Sequence, residues 1–101
     1  MERKEYDVVI KLVGNQRPCH IGHQIGDEWV FHYKTPAGMC SLAYNAIYPF
    51  ALVLKYGGTF PWQQDPDVVQ ASCPDAEVNN VFELRRIRSW KYHTGIGAEK
   101  W

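Results

Sequence analysis

The chain has 101 residues and carries 11 acidic and 11 basic side chains, so its formal charge is balanced. This length allows one domain with a modest core, and the charge argues against a protein that binds nucleic acid or an anionic membrane surface. Aromatic residues make up 14% of this short chain, and we therefore expect a homo-oligomer in which some of them lie between subunits.

No apolar run approaches the roughly 18 residues that a membrane-spanning helix needs. No apolar stretch of signal-peptide type follows the charged first residues. We therefore predict a cytoplasmic protein without membrane association. Because that compartment is reducing and the chain has three cysteines, at least one of them unpaired, we expect no structural disulfide framework.

Two strands are predicted in the first third of the chain, at residues 6–13 and 28–33, where successive side chains alternate in character. The apolar face of the first strand consists of Tyr6, Val8, Ile10 and Leu12. The turn signal Gly26-Asp27 precedes the second strand, and another turn at residues 35–38 follows it. The intervening loop contains Cys19-His20-Ile21-Gly22-His23, which brings three side chains suited to metal binding or redox chemistry close together.

A helix is predicted at residues 41–56. We expect Ser41 to be its N-cap, Pro49 to kink or divide it, and Gly57-Gly58 to end it. Because the segment is apolar almost all round, we expect burial on more than one side. The predicted stripe consists of Leu42, Ala46, Pro49 or Phe50, and Val53, with Ala43, Ile47 and Leu54 beside it.

Two further strands are predicted at residues 68–73 and 81–87. Their inward positions are Val69, Ala71 and Cys73 in the first, and Phe82 and Leu84 in the second. The order β-β-α-β-β predicts an α+β domain, in which a small, mainly antiparallel sheet packs on one Pro-kinked helix. Parallel pairing of strands two and three through the helix stays open. We assign residues 1–88 to this domain and residues 89–101 to an aromatic C-terminal tail.

The chain resembles a family of short conserved-hypothetical proteins from bacteria and archaea, over roughly residues 6 to 87. The motifs that carry the resemblance are Cys19-x-x-Gly22-His23, Gly26-Asp27, Thr35-Pro36-x-Gly38-x-Cys40, Ile47-Tyr48-Pro49, Gly57-Gly58, Pro61-Trp62, Cys73-Pro74-Asp75 and Phe82-Glu83-Leu84-Arg85. The resemblance implies a family but no activity, cofactor or partner.

A metal site is the leading functional hypothesis. Cys19, His23, Cys40 and Cys73 could bind one zinc or iron ion, because thiolate and imidazole are the usual ligands of these metals. The predicted topology allows the loop after the first strand, the start of the helix and the end of the third strand to meet. Alternatively, Cys40 and Cys73 are small buried side chains and His23 caps a turn.

A reactive thiol is the second hypothesis, for an enzyme or a redox sensor. Cys40 directly precedes the helix, whose free N–H groups and dipole would stabilise a thiolate. His20 or His23 could then be its base, and Asp27 or Asp75 could orient that histidine.

A non-catalytic accessory or binding subunit is the third hypothesis. Trp29, Tyr48, Trp62 and Arg85 could line a pocket between helix and sheet, with Arg85 or His32 as its polar group, although such rings can equally be core. Residues 89–101 could contact a protein partner. The basic run at residues 85–88 is predicted to be a solvated strand edge.

Overall fold

The computed structural model of the protein describes residues 5–88, so the predicted aromatic tail at residues 89–101 lies outside the described residues. The elements are β1 (Asp7–Gly14), β2 (Glu28–Phe31), α1 (Ser41–Lys55), β3 (Val68–Ser72) and β4 (Val81–Ile87). Their order confirms the prediction, and each boundary lies within two residues of its predicted place. Among these residues, no helix has both the length and the apolar character needed to cross a membrane.

The four strands form one antiparallel sheet in the order β2-β1-β4-β3. The predicted α+β class with an antiparallel sheet is therefore confirmed. The alternative in which strands two and three pair in parallel is wrong, because β2 and β3 lie at opposite edges of the sheet. The central pair, β1 with β4, joins segments from the two ends of the domain, so the sheet forms only when distant parts of the chain meet.

The core lies between α1 and one face of the sheet. Ile10 lies opposite Trp29 on one side and Leu84 on the other, so these three side chains share the face that meets the helix. The buried apolar cluster consists of Val8, Ile10, Leu12, Phe31, Ala43, Ile47, Ala51, Leu54, Val69, Phe82 and Leu84. The predicted inward faces of β1, β3 and β4 are confirmed, because alternation along a half-buried strand fixes which side chains point inward.

The helix buries one face only. Its buried residues are Ala43, Ile47, Ala51, Leu54 and Lys55. The predicted main stripe is wrong, because Leu42 is 61% exposed and Val53 also faces outward. The N-cap is Cys40, whose side chain makes no capping hydrogen bond, so the prediction of Ser41 is also wrong. Pro49 lies inside the helix, which continues through it without dividing.

The helix ends in a Schellman motif, in agreement with the predicted glycine stop. Gly57 has φ +87° and donates its N–H to the Leu54 carbonyl at 3.2 Å. Gly58 donates to the Val53 carbonyl at 2.8 Å. These two bonds satisfy carbonyl groups that have no partner within the helix, and glycine is the residue that adopts this positive φ without strain.

Arg86 ties the end of the helix to the sheet. The side chain is buried, and its Nε donates to Asp67 at 2.9 Å. The other guanidinium nitrogens donate to the carbonyl oxygens of Leu54, Gly58 and Pro66. The prediction of a solvated strand edge at residues 85–88 is therefore wrong for Arg86, and β4 is an interior strand rather than an edge.

A buried lysine connects the C-terminal end of α1 with the first two strands. The Nζ of Lys55 lies 3.7 Å from the centre of the Tyr33 ring, an arrangement that favours the cation. Burial lowers the pKa of Lys55, and the charges of Asp7 and Glu5 oppose that shift. Asp7 also accepts a hydrogen bond from His32, the residue that follows β2. These contacts of Lys55 and Asp7 follow from the packing of α1 on the first two strands.

Candidate thiol site

Three connections meet at one end of the sheet. Gly14, the last residue of β1, pairs with Val81, which also pairs with Ser72, the last residue of β3. The loops that follow β1 and β3 therefore begin side by side. The first turn of α1 lies against the same end, because Cys40 and Ala43 share a cavity with residues of both loops.

The cavity at this end brings the three cysteines together. It has a volume of about 180 Å³, and Cys19, Cys40 and Cys73 all contribute to its wall. All three are free thiols and partly exposed. The remaining wall consists of His20, Ile21, Leu42, Ala43, Pro74, Asp75, Val78 and Asn80. A small cleft with mostly apolar walls and a few polar groups is the usual form of a site for a small ligand.

Cys19 lies in a turn that surrounds its sulfur with hydrogen-bond donors. Gly22 has φ +96° and donates its N–H to the Cys19 carbonyl at 3.0 Å, which closes the turn. Burial raises the pKa of Cys19, but N–H groups of Ile21, His23 and Gly22 and the side-chain amide of Asn80 lower it. The net result is a lowered pKa. Backbone N–H groups that converge on one point favour an anion, here the thiolate.

Asn80 connects two of the three cysteines. It is 3% exposed, and its backbone N–H donates to the Cys73 sulfur at 3.3 Å. Its backbone carbonyl accepts the Cys73 N–H at 2.9 Å. Asn15 donates to the Asn80 side-chain oxygen at 3.1 Å, which leaves the amide NH₂ to point toward Cys19. One buried residue therefore directs a backbone donor toward one sulfur of the cavity and a side-chain donor toward another.

His23 anchors the loop rather than lining the cavity. Its Nε2 accepts the backbone N–H of Cys40 at 3.0 Å, so that nitrogen carries no proton. Its ring packs edge-on against Trp29, with centres 4.8 Å apart. His20 is the histidine in the cavity wall. The contacts of His23 therefore hold the β1–β2 loop against the start of α1.

The two aspartates proposed to orient a histidine instead close their own turns. Asp27 accepts the N–H of Gln24 at 2.8 Å. Asp75 accepts the N–H groups of Glu77 and Val78 through the same oxygen. The bond from Glu77 to Asp75 is the ordinary Asx-turn contact of a loop aspartate.

The predicted metal ligands are brought close but not into a ready-made metal site. Cys19, Cys40 and Cys73 share the cavity, whereas His23 engages the Cys40 backbone. Within residues 5–88, no group of three or more His, Cys, Asp or Glu side chains is arranged to hold a metal ion. A zinc or iron site of these four residues stays a prediction, as does Cys40 as the reactive thiol.

The predicted aromatic pocket is not formed as a unit. Trp29 packs on Phe82 inside the domain, whereas Arg85 pairs in register with Val9 on the sheet face away from the helix. Arg85 therefore cannot be the polar group of a pocket between helix and sheet. Tyr48 is 41% exposed and packs edge-on against Phe31, whereas Trp62 is 64% exposed beside Phe60.

Sequence reasoning missed Asn80 and its partner Asn15. A buried asparagine cannot be recognised from its neighbours in the chain, because its burial depends on strand pairing between β1 and β4. Asn79-Asn80 reads as an ordinary loop before a strand. The available signal was positional: both asparagines directly flank the paired ends of β1 and β4.

Comparison with known proteins gives no further assignment. No protein-family model matches the chain, and no curated protein or solved structure matches it significantly. The resemblance to the short bacterial and archaeal family stays a prediction.

Proposed function

We propose that this is a thiol-dependent protein in which Cys19 is the reacting nucleophile. The observation that carries the proposal is the cavity that Cys19 shares with Cys40 and Cys73. A thiolate, and not a thiol, attacks electrophiles, and the N–H groups around Cys19 favour that form. Cys19 is only partly buried, so a ligand in the cavity can reach it. The expected cytoplasmic location would keep all three thiols reduced.

The walls of the cavity favour a small, uncharged ligand. Ile21, Leu42 and Pro74 contribute apolar surface at its opening. Among the described residues of the wall there is no lysine or arginine to bind an anionic group, and Asp75 would repel one. An uncharged organic hydroperoxide fits these requirements.

In that reaction the Cys19 thiolate attacks the terminal oxygen of the hydroperoxide. A sulfur–oxygen bond forms, the oxygen–oxygen bond breaks, and the alkoxide leaves and takes up a proton to give an alcohol. Cys19 becomes a sulfenic acid, oxidised by two electrons, while the hydroperoxide is reduced by two. The hydroperoxide is thus the only oxidant required.

The rate of alkylation tests the proposal. We expect neutral iodoacetamide to modify Cys19 fastest, with a midpoint in pH below the ordinary thiol value of about 8.5. Iodoacetate, its anionic analogue, should react more slowly, because the described wall of the cavity contains Asp75 and no lysine or arginine. The Cys19→Ser variant should lose the fast phase, whereas Cys40→Ser should retain it. A fast phase that disappears with Cys40→Ser and survives Cys19→Ser would refute the assignment.

Metal binding is retained as a second candidate, because three thiols reach one cavity. This candidate expects about one zinc or iron ion per chain after expression in metal-supplemented medium. Elemental analysis checks it, with the Cys19→Ser variant as control. A metal content far below one ion per chain in the wild-type protein would contradict it.

A further inference from the structure

We propose that Cys73 is the resolving thiol for Cys19, so that oxidation produces an internal Cys19–Cys73 disulfide. This inference rests on the proposed role of Cys19 as the nucleophile. It assigns a specific partner to that thiol and adds a redox-controlled state, in which both sulfurs are joined and Cys19 can no longer attack a ligand.

The geometry around Asn80 favours this pair over the alternatives. Its backbone N–H donates to the Cys73 sulfur, and its side-chain amide points toward the Cys19 sulfur. Two sulfurs that contact the same small residue lie on the same side of the cavity. Cys40 is linked to the loop through its backbone N–H, which donates to His23 and brings no sulfur into that contact.

The two loops that carry these cysteines are already joined. The backbone N–H of Gln16 donates to the Val78 carbonyl at 2.8 Å, and Asn15 donates to Asn80. A disulfide needs Cα atoms roughly 4.4–6.8 Å apart, so its formation requires that the loops lie together. Cys40, by contrast, accepts the Tyr44 N–H at 2.9 Å as part of the first helical turn, which restricts its movement.

The chemistry balances without a further reagent. The Cys73 thiolate attacks the sulfur of the Cys19 sulfenic acid, a sulfur–sulfur bond forms, and hydroxide leaves and is protonated to water. Over both steps two thiols lose two electrons, and one hydroperoxide becomes one alcohol and one water. A dithiol reductant would restore the starting state by thiol–disulfide exchange.

Peptide mapping of the oxidised full chain tests the pairing. The reduced protein, freed of metal with a chelator, is treated with one equivalent of tert-butyl hydroperoxide, blocked with iodoacetamide under denaturing conditions and digested without reduction. We expect the Cys19–Cys73 cross-linked peptide to be the main disulfide product, both in the wild-type protein and in Cys40→Ser. A main product that joins Cys19 to Cys40 would overturn the inference.

The Cys73→Ser variant separates this inference from the proposed function. With dimedone present, we expect this variant to accumulate the Cys19 sulfenic acid adduct and to form no internal disulfide. An internal disulfide formed as quickly as in the wild-type protein would overturn Cys73 as partner and leave Cys19 as nucleophile. If Cys19 is oxidised neither in the wild-type protein nor in any variant, both the pairing and the role of Cys19 as nucleophile are refuted. The wild-type map decides the pairing even if a variant fails to fold.

Discussion

Replacement of Gly22 by alanine should raise the pKa of Cys19 and slow its alkylation. Gly22 has φ +96°, where a Cβ is strained, and the space around that Cβ is open, so the cost comes from the backbone alone. Such a conformation costs a non-glycine residue about 1–3 kcal/mol. The turn can relieve that strain by rotating its N–H groups away from the sulfur. Loss of one hydrogen bond to a thiolate, worth about 1.5 kcal/mol or more, therefore raises the pKa of Cys19.

The measurement is the iodoacetamide rate against pH, together with urea unfolding. At neutral pH we expect the Cys19 rate to fall by up to about tenfold, because a loss of about 1.4 kcal/mol in the stability of the thiolate lowers the thiolate fraction by that factor. Gly57→Ala is the matched control: Gly57 also has a positive φ, +87°, but lies at the opposite end of α1. It should lose similar stability and keep the wild-type rate. If Gly22→Ala loses stability and leaves the rate unchanged, the turn does not set the pKa.

Three other changes test the fold and the predicted assembly. Arg86→Met should lower the free energy of unfolding by about 3–5 kcal/mol, because it removes a buried guanidinium together with its hydrogen bonds to three carbonyls and to the partly exposed Asp67. Arg85→Met removes only exposed contacts and should cost less than about 1 kcal/mol; urea unfolding measures both. The hydrogen bond from Arg88 is the main cause that lowers the pKa of Asp67 below 3.8, so Asp67 stabilises the fold above that pH and less as the pH falls. The Asp67→Asn variant should therefore be less stable than the wild-type protein at neutral pH and lose less stability on acidification. Urea midpoints measured from neutral to acidic pH check this; a variant whose stability falls with acid as steeply as that of the wild-type protein would contradict it. If residues 89–101 make the predicted contacts, their removal should lower the number of chains per assembly in solution or the recovery of a protein partner. An unchanged number of chains and an unchanged recovery would refute those contacts.

The strands were predictable from sequence because each carries its own pattern. In β1, Val8, Ile10 and Leu12 share one face, whereas Asp7 and Lys11 mark the other, and the three apolar side chains are fully buried. The helix was harder, since it is apolar on several sides and periodicity alone does not choose among its stripes. Packing against the sheet decides which stripe of the helix is buried. The buried stripe runs through Ala43 and Ile47, whose small and branched side chains allow the helix to approach the sheet closely.

The site was predictable as a meeting point but not in its chemistry. The topology puts the ends of β1 and β3 together, and this explains why Cys19 and Cys73 share a cavity. From the sequence alone, Cys40 was the better candidate for a stabilised thiolate, because it directly precedes a helix. The donors around Cys19 depend instead on the backbone of one turn and on a buried asparagine, Asn80, and neither is readable without the fold.

The contact that orients Asn80 depends on an irregularity in the central strand pair. Leu12 pairs with Phe82, but Gly14 pairs with Val81, so Val13 is an extra residue that forms a bulge in β1. Continuing the shifted register beyond Gly14 puts Asn15 opposite Asn80, the pair joined by a hydrogen bond. Without the bulge, the register would place Asn15 opposite the preceding asparagine and leave Asn80 without this partner. The donor to Cys19 is therefore set by strand pairing outside the loop that carries the thiol.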